Sequence, residues 1–336
     1  MSPSANPPWL SVLVPVYNVE PYIRDCLESV LAQADAGVEI LVLDDASPDG
    51  SMQVVRRVQD AHPGRVRSFT HEGNRGLSAA RNSLLEQACG RYVWFLDSDD
   101  VLRPGAIDGL RALVERDAPD LVLCDYALFG ERSGLSQRLR RGWHRRSFDG
   151  AAAGISHDRD VLLTGLLETR QLHTWSKIAT LSAWRAARFP EGRYFEDIAV
   201  IPQLAGAVRS WTHAARPWVG YRQRGDSILA RMTPAKSRDL LQSLREFHAG
   251  LLALPGGISA RTRLALEYFC LRTFASLARK LPEDEALVRD CRDAIAAVFP
   301  QGMPAVLAEY RARGWWLRAW RAERSLARRG WLHRAQ

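Results

Sequence analysis

The sequence predicts an α/β protein: a mostly parallel sheet with helices on both faces, followed by a helical C-terminal region. Three observations predict it. Through residue 125, apolar β-branched runs alternate with segments of helical period. The runs are apolar throughout, as strands buried on both faces are, and the order strand–helix–strand favours a Rossmann-like arrangement. From Asp160 onward the period is mainly helical.

The elements follow in order. Leu10–Val16 reads as a buried strand ending at Pro15 and Asn18, and Val19–Ala34 places Tyr22, Ile23, Cys26, Leu27, Val30 and Leu31 on one helical face. Val38–Leu43 is a second strand, ending in Asp44 and Asp45. Ser47–Gly50 supplies turn and cap chemistry for a helix over Ser51–Ala61. Val66–Thr70 reads as the third strand, Ser78–Ala88 as a helix closed by Gly90, Tyr92–Leu96 as the fourth strand, Pro104–Arg116 as a helix and Leu121–Tyr126 as the fifth strand. Residues 127–160 are rich in Gly, Ser and Arg and read as a mobile insertion. Helices are expected over Glu196–Ala207, Ser237–Leu254, Arg261–Lys280 and Glu285–Phe299, with a strand or turn near Trp218–Gln223. The predicted organisation is a catalytic domain over 8–227, a helical region over 228–304 and a basic tail over 305–336.

Composition bounds the function. At 336 residues, 46% hydrophobic and 25% charged, the chain can bury a sizeable core and is neither collagen-like, coiled-coil nor wholly disordered. Its five cysteines contain no C-x-x-C pair and read as reduced, buried thiols rather than a disulfide framework or zinc site. The net charge of +8 is uneven: Ala305–Gln336 holds eight Arg and two Glu, so the tail carries +6 and the body only +2. That distribution disfavours a nucleic-acid protein, whose basicity would spread over its body. No apolar run reaches about 18 residues, so no membrane span is expected. Met1–Trp9 has neither a basic nor an apolar leader segment, so a cytoplasmic protein is expected, with membrane contact only at the surface.

In parallel α/β sheets, ligands sit beyond the carboxyl ends of the strands. The polar residues there are Asn18, Asp44, Asp45, Asp97, Asp99 and Asp100. The sharpest feature is Asp97-Ser98-Asp99-Asp100, directly after the fourth strand. Three adjacent carboxylates repel one another and lose hydration unless a cation is near. A hard divalent ion such as Mn²⁺ or Mg²⁺ takes oxygen ligands and completes its shell with phosphate oxygens. Taken alone, the same four residues also suit a turn and a helix cap, and Asp44-Asp45 suits either a hydrogen bond to a ligand or a cap.

Four blocks occur in order: Ser11-Val-Leu-Val-Pro15-Val-Tyr17-Asn18, Leu43-Asp44-Asp45-Ala-Ser47, Asn74-Arg-Gly76-Leu-Ser-Ala-Ala-Arg81-Asn82 and Phe95-Leu-Asp97-Ser-Asp99-Asp100. Together they resemble the family 2 glycosyltransferases, which have the A-type nucleotide-diphospho-sugar transferase fold. The resemblance runs from about Pro8 to Ser227. It continues in His173-Thr-Trp175-Ser-Lys177, Phe189-Pro-Glu-Gly192, Phe195-Glu196-Asp197 and Tyr221-Arg222-Gln-Arg224, blocks similar to those of bacterial members that build extracellular polysaccharides.

The resemblance implies roles. Pro15, Val16, Tyr17 and Asn18 line the nucleotide pocket, with the first three as its floor. Asp45 accepts from a uracil-like base and Asp44 supports it. Arg81 lies near the diphosphate. Asp97-Ser98-Asp99 matches the family's D-x-D, with Asp99 as the metal ligand and Asp97 on the ribose or the metal's water shell. Asp197 matches the catalytic base, with Glu196 beside it. His173, Trp175, Lys177, Arg222 and Arg224 are candidates for acceptor or diphosphate contact, each set against a structural role. The implied reaction moves a sugar, with inversion, from a nucleotide-diphospho-sugar such as a UDP-sugar to a hydroxyl of a saccharide or lipid-linked acceptor.

Two other readings are weighed. A sugar nucleotidyltransferase would carry a Gly-rich loop after the first strand, where this chain has Pro15-Val-Tyr-Asn18. A non-catalytic membrane-docking scaffold is motivated by the tail, where Trp316, Trp320 and Trp331 fall within about 60° on a helical wheel and Arg318, Arg321, Arg328 and Arg329 lie mostly elsewhere. That pattern suits an anionic bilayer surface or, equally, a terminal helix docked on the body.

Overall fold

A computed structural model describes residues 7–130, 144–150, 154–223, 232–280 and 284–331. The chain divides into two compact units. The first runs to Gly192 and includes Gln203–Ser227; the second comprises Arg193–Pro202 and Ile228 onward.

The first unit is built on a nine-stranded mixed sheet. Its opening half is β1 (Leu10–Val16), β2 (Val38–Asp44), β3 (Val66–Thr70) and β4 (Tyr92–Phe95), interleaved with α1 (Ile23–Leu31), α2 (Ser51–Ala61) and α3 (Leu77–Gln87). These four strands lie parallel in the order β3-β2-β1-β4. Every residue of β1 is buried, as a continuous apolar run requires. β4 stops pairing with β1 at Leu13, so Pro15, which lacks an N–H, sits where β1 has a neighbour on one side only. Ile23, Cys26, Leu27 and Val30 turn the apolar face of α1 to the core, as the helical spacing predicts.

Beyond β4 the sheet departs from the expected parallel run. β5 (Val101–Leu102), α4 (Ala106–Asp117), β6 (Leu121–Phe129), β7 (His144–Arg145), α5 (Arg159–Thr169), β8 (Lys177–Thr180), α6 (Leu181–Ala186), α7 (Glu196–Ala207) and β9 (Trp211–Arg222) follow. β8 inserts antiparallel between β4 and β6, β9 runs parallel to β6, and β5 and β7 pair antiparallel with β9 and β6. The strand expected near Trp218–Gln223 is the end of the twelve-residue β9. Its register against β6 shifts around Asp125, which is fully buried. Part of the expected insertion (131–143 and 151–153) lies outside the described residues, and its ends belong to β6, β7 and α5.

The second unit holds α8 (Pro234–Leu252), α9 (Ala260–Lys280), α10 (Glu285–Val298), α11 (Met303–Ala312) and α12 (Trp316–Ala327). Thr233 caps α8 and Asp284 caps α10, each side chain accepting from a first-turn N–H. α8 packs on α9 and α10, and α12 on α9 and α11. Leu244, Phe247, Phe274, Leu287, Tyr310 and Leu326 are fully buried here.

Two expectations are corrected. Cys89 is exposed while the other four cysteines are buried, because Cys89 sits in the turn after α3. The three tail tryptophans do not share a face: Trp316 and Trp320 are 64% and 51% exposed, but Trp331 is 3% exposed. α12 ends at Ala327, so the helical wheel does not extend to Trp331. Among the described residues, no helix is long and apolar enough to cross a membrane.

Candidate active site

The carboxyl ends of β1, β2 and β4 converge at one edge of the first unit. After β1, Tyr17 is 48% exposed and Asn18 takes a left-handed backbone (φ 53°). The Ser47 hydroxyl accepts from Asn18 N–H (3.3 Å) and the Ser51 hydroxyl from Val19 N–H (3.0 Å), so the β1 exit is pinned to the start of α2. Pro15 and Val16 are backed by the core.

Asp44 and Asp45 have different surroundings. Asp45 Oδ1 accepts from Arg75 N–H (2.8 Å) and pairs with His71 Nδ1 (2.7 Å), and Oδ2 accepts from Gly76 N–H (2.7 Å). Asn74 donates to the Asp45 carbonyl (3.2 Å), and His71 Nε2 meets Ser83 Oγ (3.0 Å). The Asp45 side chain, 4% exposed, therefore clamps the 71–76 loop and sets the start of α3. These bonds commit the Asp45 carboxylate to the loop and speak against the base-accepting role expected of it. The Asp44 carboxylate accepts at Oδ1 from Ser47 N–H (2.9 Å).

The D-x-D turn follows β4. Asp100 N–H donates to the Asp97 carbonyl (2.9 Å), which closes the turn. Arg81 is 1% exposed and donates to Asp97 Oδ1 (3.1 Å) while lying over Phe189 (5.3 Å) and Phe95 (5.9 Å). Asp100 is fully buried, its Oδ1 accepting from Arg222 N–H (2.8 Å) and its Oδ2 making no hydrogen bond. Burial, and then the neighbouring Asp99 and Asp97, push the Asp100 carboxyl well above its usual range. Burial and the same three aspartates raise the Tyr221 phenol to about 12 and push the Cys26 thiol up beneath the turn. These shifts report a concentrated negative potential.

Oxygen donors from carboxylates suit a hard divalent cation, which often keeps substrate phosphates in its shell. Asp97 and Asp99 are both partly exposed, whereas Asp100 is buried, with its carboxyl pushed above the usual range. Among the described residues no three His, Cys, Asp or Glu side chains form a ready-made metal cage. The residues fit an ion whose shell is completed by a donor's phosphates.

The other candidates divide. Lys177 is fully buried, and its ammonium donates to Gln171 O (3.1 Å), His173 O (2.8 Å) and Ser176 Oγ (3.2 Å). It builds the 171–176 loop, which favours the structural role weighed against its ligand contact. On that loop His173 stacks on Trp175 (4.9 Å, 7° between planes), and Trp175 stacks on Tyr221 (5.7 Å, 21°). Trp175 itself is 2% exposed. Arg222 donates to the Asp99 carbonyl (2.7 Å) and Asp25 (2.9 Å) and covers Phe129 (4.6 Å). It thereby ties the end of β9 to the D-x-D turn. Arg224 lies outside the described residues. Glu196 and Asp197 form the first turn of α7 in the second unit, after Phe195 in a left-handed conformation (φ 64°).

Three contributors receive no role from the motifs. Tyr221 and Asn82 stand inside the quoted blocks and His71 outside them, and their neighbours reveal what each does. Asn82 holds the 189–191 segment through Phe189 N–H and O and the Glu191 carboxylate. Tyr221 gave one signal, its place beside Arg222.

An α/β sheet with acidic clusters at its parallel strand ends places a ligand crevice at that edge, as in the nucleotide-binding class of α/β proteins. The family model described as Glycosyl transferase family 2 matches residues 11–161. Residues 11–161 are thus a family 2 glycosyltransferase domain. The chain is 38% identical over 232 residues to the putative glycosyltransferase EpsH of Bacillus subtilis (strain 168), covering 67% of this chain and 63% of that one. It is 29% identical over 196 residues to the glycosyltransferase GlyA of Streptococcus pneumoniae serotype 4, covering 56% of this chain and 27% of GlyA. The chain thus spans between about a quarter and two-thirds of these curated relatives. The fold is similar to S. aureus TarS 1–349 in complex with UDP-GlcNAc, with a TM-score of 0.72 and 22% identity, over 96% of this chain and 92% of that one.

Proposed function

We propose that the chain is a divalent-metal-dependent, inverting glycosyltransferase. It moves a sugar from a UDP-sugar to a hydroxyl of a saccharide or lipid-linked acceptor, in the cytoplasm, for a cell-surface polysaccharide or glycolipid. The observation that carries the reading is the D-x-D turn. Its clustered carboxylates form a negative site that a divalent cation would neutralise, and that cation would in turn attract the donor's diphosphate. The UDP-GlcNAc held by TarS supports a UDP-sugar donor.

In this reading Pro15, Val16 and Tyr17 support the base, and Asp44 accepts from its ring N–H. Arg81 orients Asp97 and faces the donor. Asp99, assisted by Asp97, would hold Mn²⁺ or Mg²⁺, whose chemistry would be to offset the charge that builds on a departing diphosphate. Asp197 removes the acceptor's hydroxyl proton. The acceptor oxygen then forms a bond to the anomeric carbon as the carbon–oxygen bond to UDP breaks, and UDP leaves with that electron pair. Attack opposite the leaving group inverts the anomeric centre. Transfer assays over UDP- and GDP-sugars with Mn²⁺ test the reading. Turnover of none, together with no binding by calorimetry, would sink it.

A further inference from the structure

The outer face of α12 carries an apolar and cationic surface that the transfer chemistry does not use. Trp316, Leu317 and Trp320 are 64%, 56% and 51% exposed, the three most exposed large hydrophobic side chains among the described residues. The opposite face (Ala319, Ala322, Ser325, Leu326) is buried against the second unit's own helices. At 100° per residue, Trp316, Trp320, Arg324, Leu317 and Arg321 fall within an arc of about 140°, so tryptophan and arginine share the outward side. Arg324 lies over the Trp320 ring (5.5 Å) and Arg318 over Trp315 (4.4 Å). The two acids of this segment are taken: Glu309 pairs with Arg313 (2.8 Å) and Glu323 with Arg311 (2.5 Å). Arg318, Arg321, Arg324 and Arg328 have no carboxylate partner among the described residues.

We propose that this face of α12 docks on an anionic lipid bilayer, with Trp316, Leu317 and Trp320 entering the interfacial layer and Arg321 and Arg324 meeting lipid phosphates. Indole rings prefer the headgroup region, and arginine beside them gains from negative surface potential. A second copy of the chain fits less well. A two-fold contact would bring like-charged arginines together. A soluble polyanion would satisfy the arginines and leave the tryptophans in water.

The test uses the full-length chain and sedimentation with vesicles of phosphatidylcholine, with or without about 30% phosphatidylglycerol. The wild type is expected to sediment with the anionic vesicles only and to be released near 0.5 M salt, where the Debye length falls to about 4 Å. The W316S/L317S/W320S and R321E/R324E variants, all at exposed positions, should each bind about tenfold more weakly or less, with unchanged circular dichroism. Failure of the wild type to bind anionic vesicles, or equal binding by both variants, would overturn the proposal. So would conversion of a wild-type dimer to a monomer by the triple variant without vesicle binding, since a second copy would then be the occupant.

Discussion

Asp44 and Asp45 are adjacent in sequence, yet the structure predicts opposite consequences for their replacement. Asp45→Ala removes the acceptor of two backbone N–H groups and an imidazole from a side chain that is 4% exposed. A hydrogen bond to a charged group contributes about 1.5–3 kcal/mol, so three amount to several. Arg75 is exposed and Gly76 partly so, and their released N–H groups can turn to water. The net loss should be about 3 kcal/mol, or roughly 6–12 °C in melting temperature. Asp44→Ala loses one bond, from Ser47 N–H, and should cost no more than about 1.5 kcal/mol. It should weaken UDP binding about tenfold or more through loss of a charged acceptor. Thermal melting and calorimetric titration with UDP separate the two. The reasoning is refuted if Asp45→Ala melts with the wild type while UDP affinity is lost, and Asp44→Ala binds UDP normally.

Further outcomes follow from the same geometry. Asp100→Asn keeps the acceptor for Arg222 N–H. Because the folded-state carboxyl is raised, its stabilising effect is complete below the ordinary aspartate range and fades as pH rises toward the folded value. In metal-free buffer the variant should therefore gain on the wild type in melting temperature from pH 4 toward pH 8; a constant difference would count against a buried acid. Lys177→Ala should destabilise by about 3 kcal/mol in urea titration by leaving the oxygens of the 171–176 loop without their donor; wild-type stability would contradict the structural role. Asp125, fully buried, accepts from Ser147 N–H and meets His213 and His144, and these partners outweigh burial and hold its carboxyl below the usual range. That stability is present above the ordinary aspartate value and is lost as pH falls below about 4, so Asp125→Asn should flatten acid unfolding there. Gly165→Ala should lower the melting temperature, because a Cβ there would lie 2.1 Å from Phe148 and 2.6 Å from the Asp149 carbonyl.

The nucleotide half of the fold was legible because β1, β2 and β4 are continuous apolar runs set off by amphipathic helices. β5 and β7 escaped because two residues carry no periodicity. β8 escaped because Lys177-Ile-Ala-Thr reads as readily as part of a helical stretch. The acidic strand ends marked the site edge, but the division of labour between Asp44 and Asp45 did not show. It depends on a loop thirty residues away whose backbone N–H groups select one carboxylate. Lys177 misled for a related reason: a lysine beside aromatics suggests phosphate contact, whereas here three nearby oxygens bury it. Trp331 left the expected face because the helix stops four residues short of it.

The central claim is that Asp99 and Asp197 serve one metal-assisted transfer from a UDP-sugar. The most direct measurement is UDP release from a panel of UDP-sugars by wild type, Asp99→Ala and Asp197→Ala, with Mn²⁺ and with chelator, alongside calorimetric binding of UDP. The account predicts turnover by the wild type that chelator abolishes. Asp99→Ala should lose both metal-dependent UDP binding and turnover, and Asp197→Ala should retain binding while losing about 10²-fold or more in rate. Full turnover by Asp197→Ala, or metal-dependent UDP binding unchanged in Asp99→Ala, would contradict it.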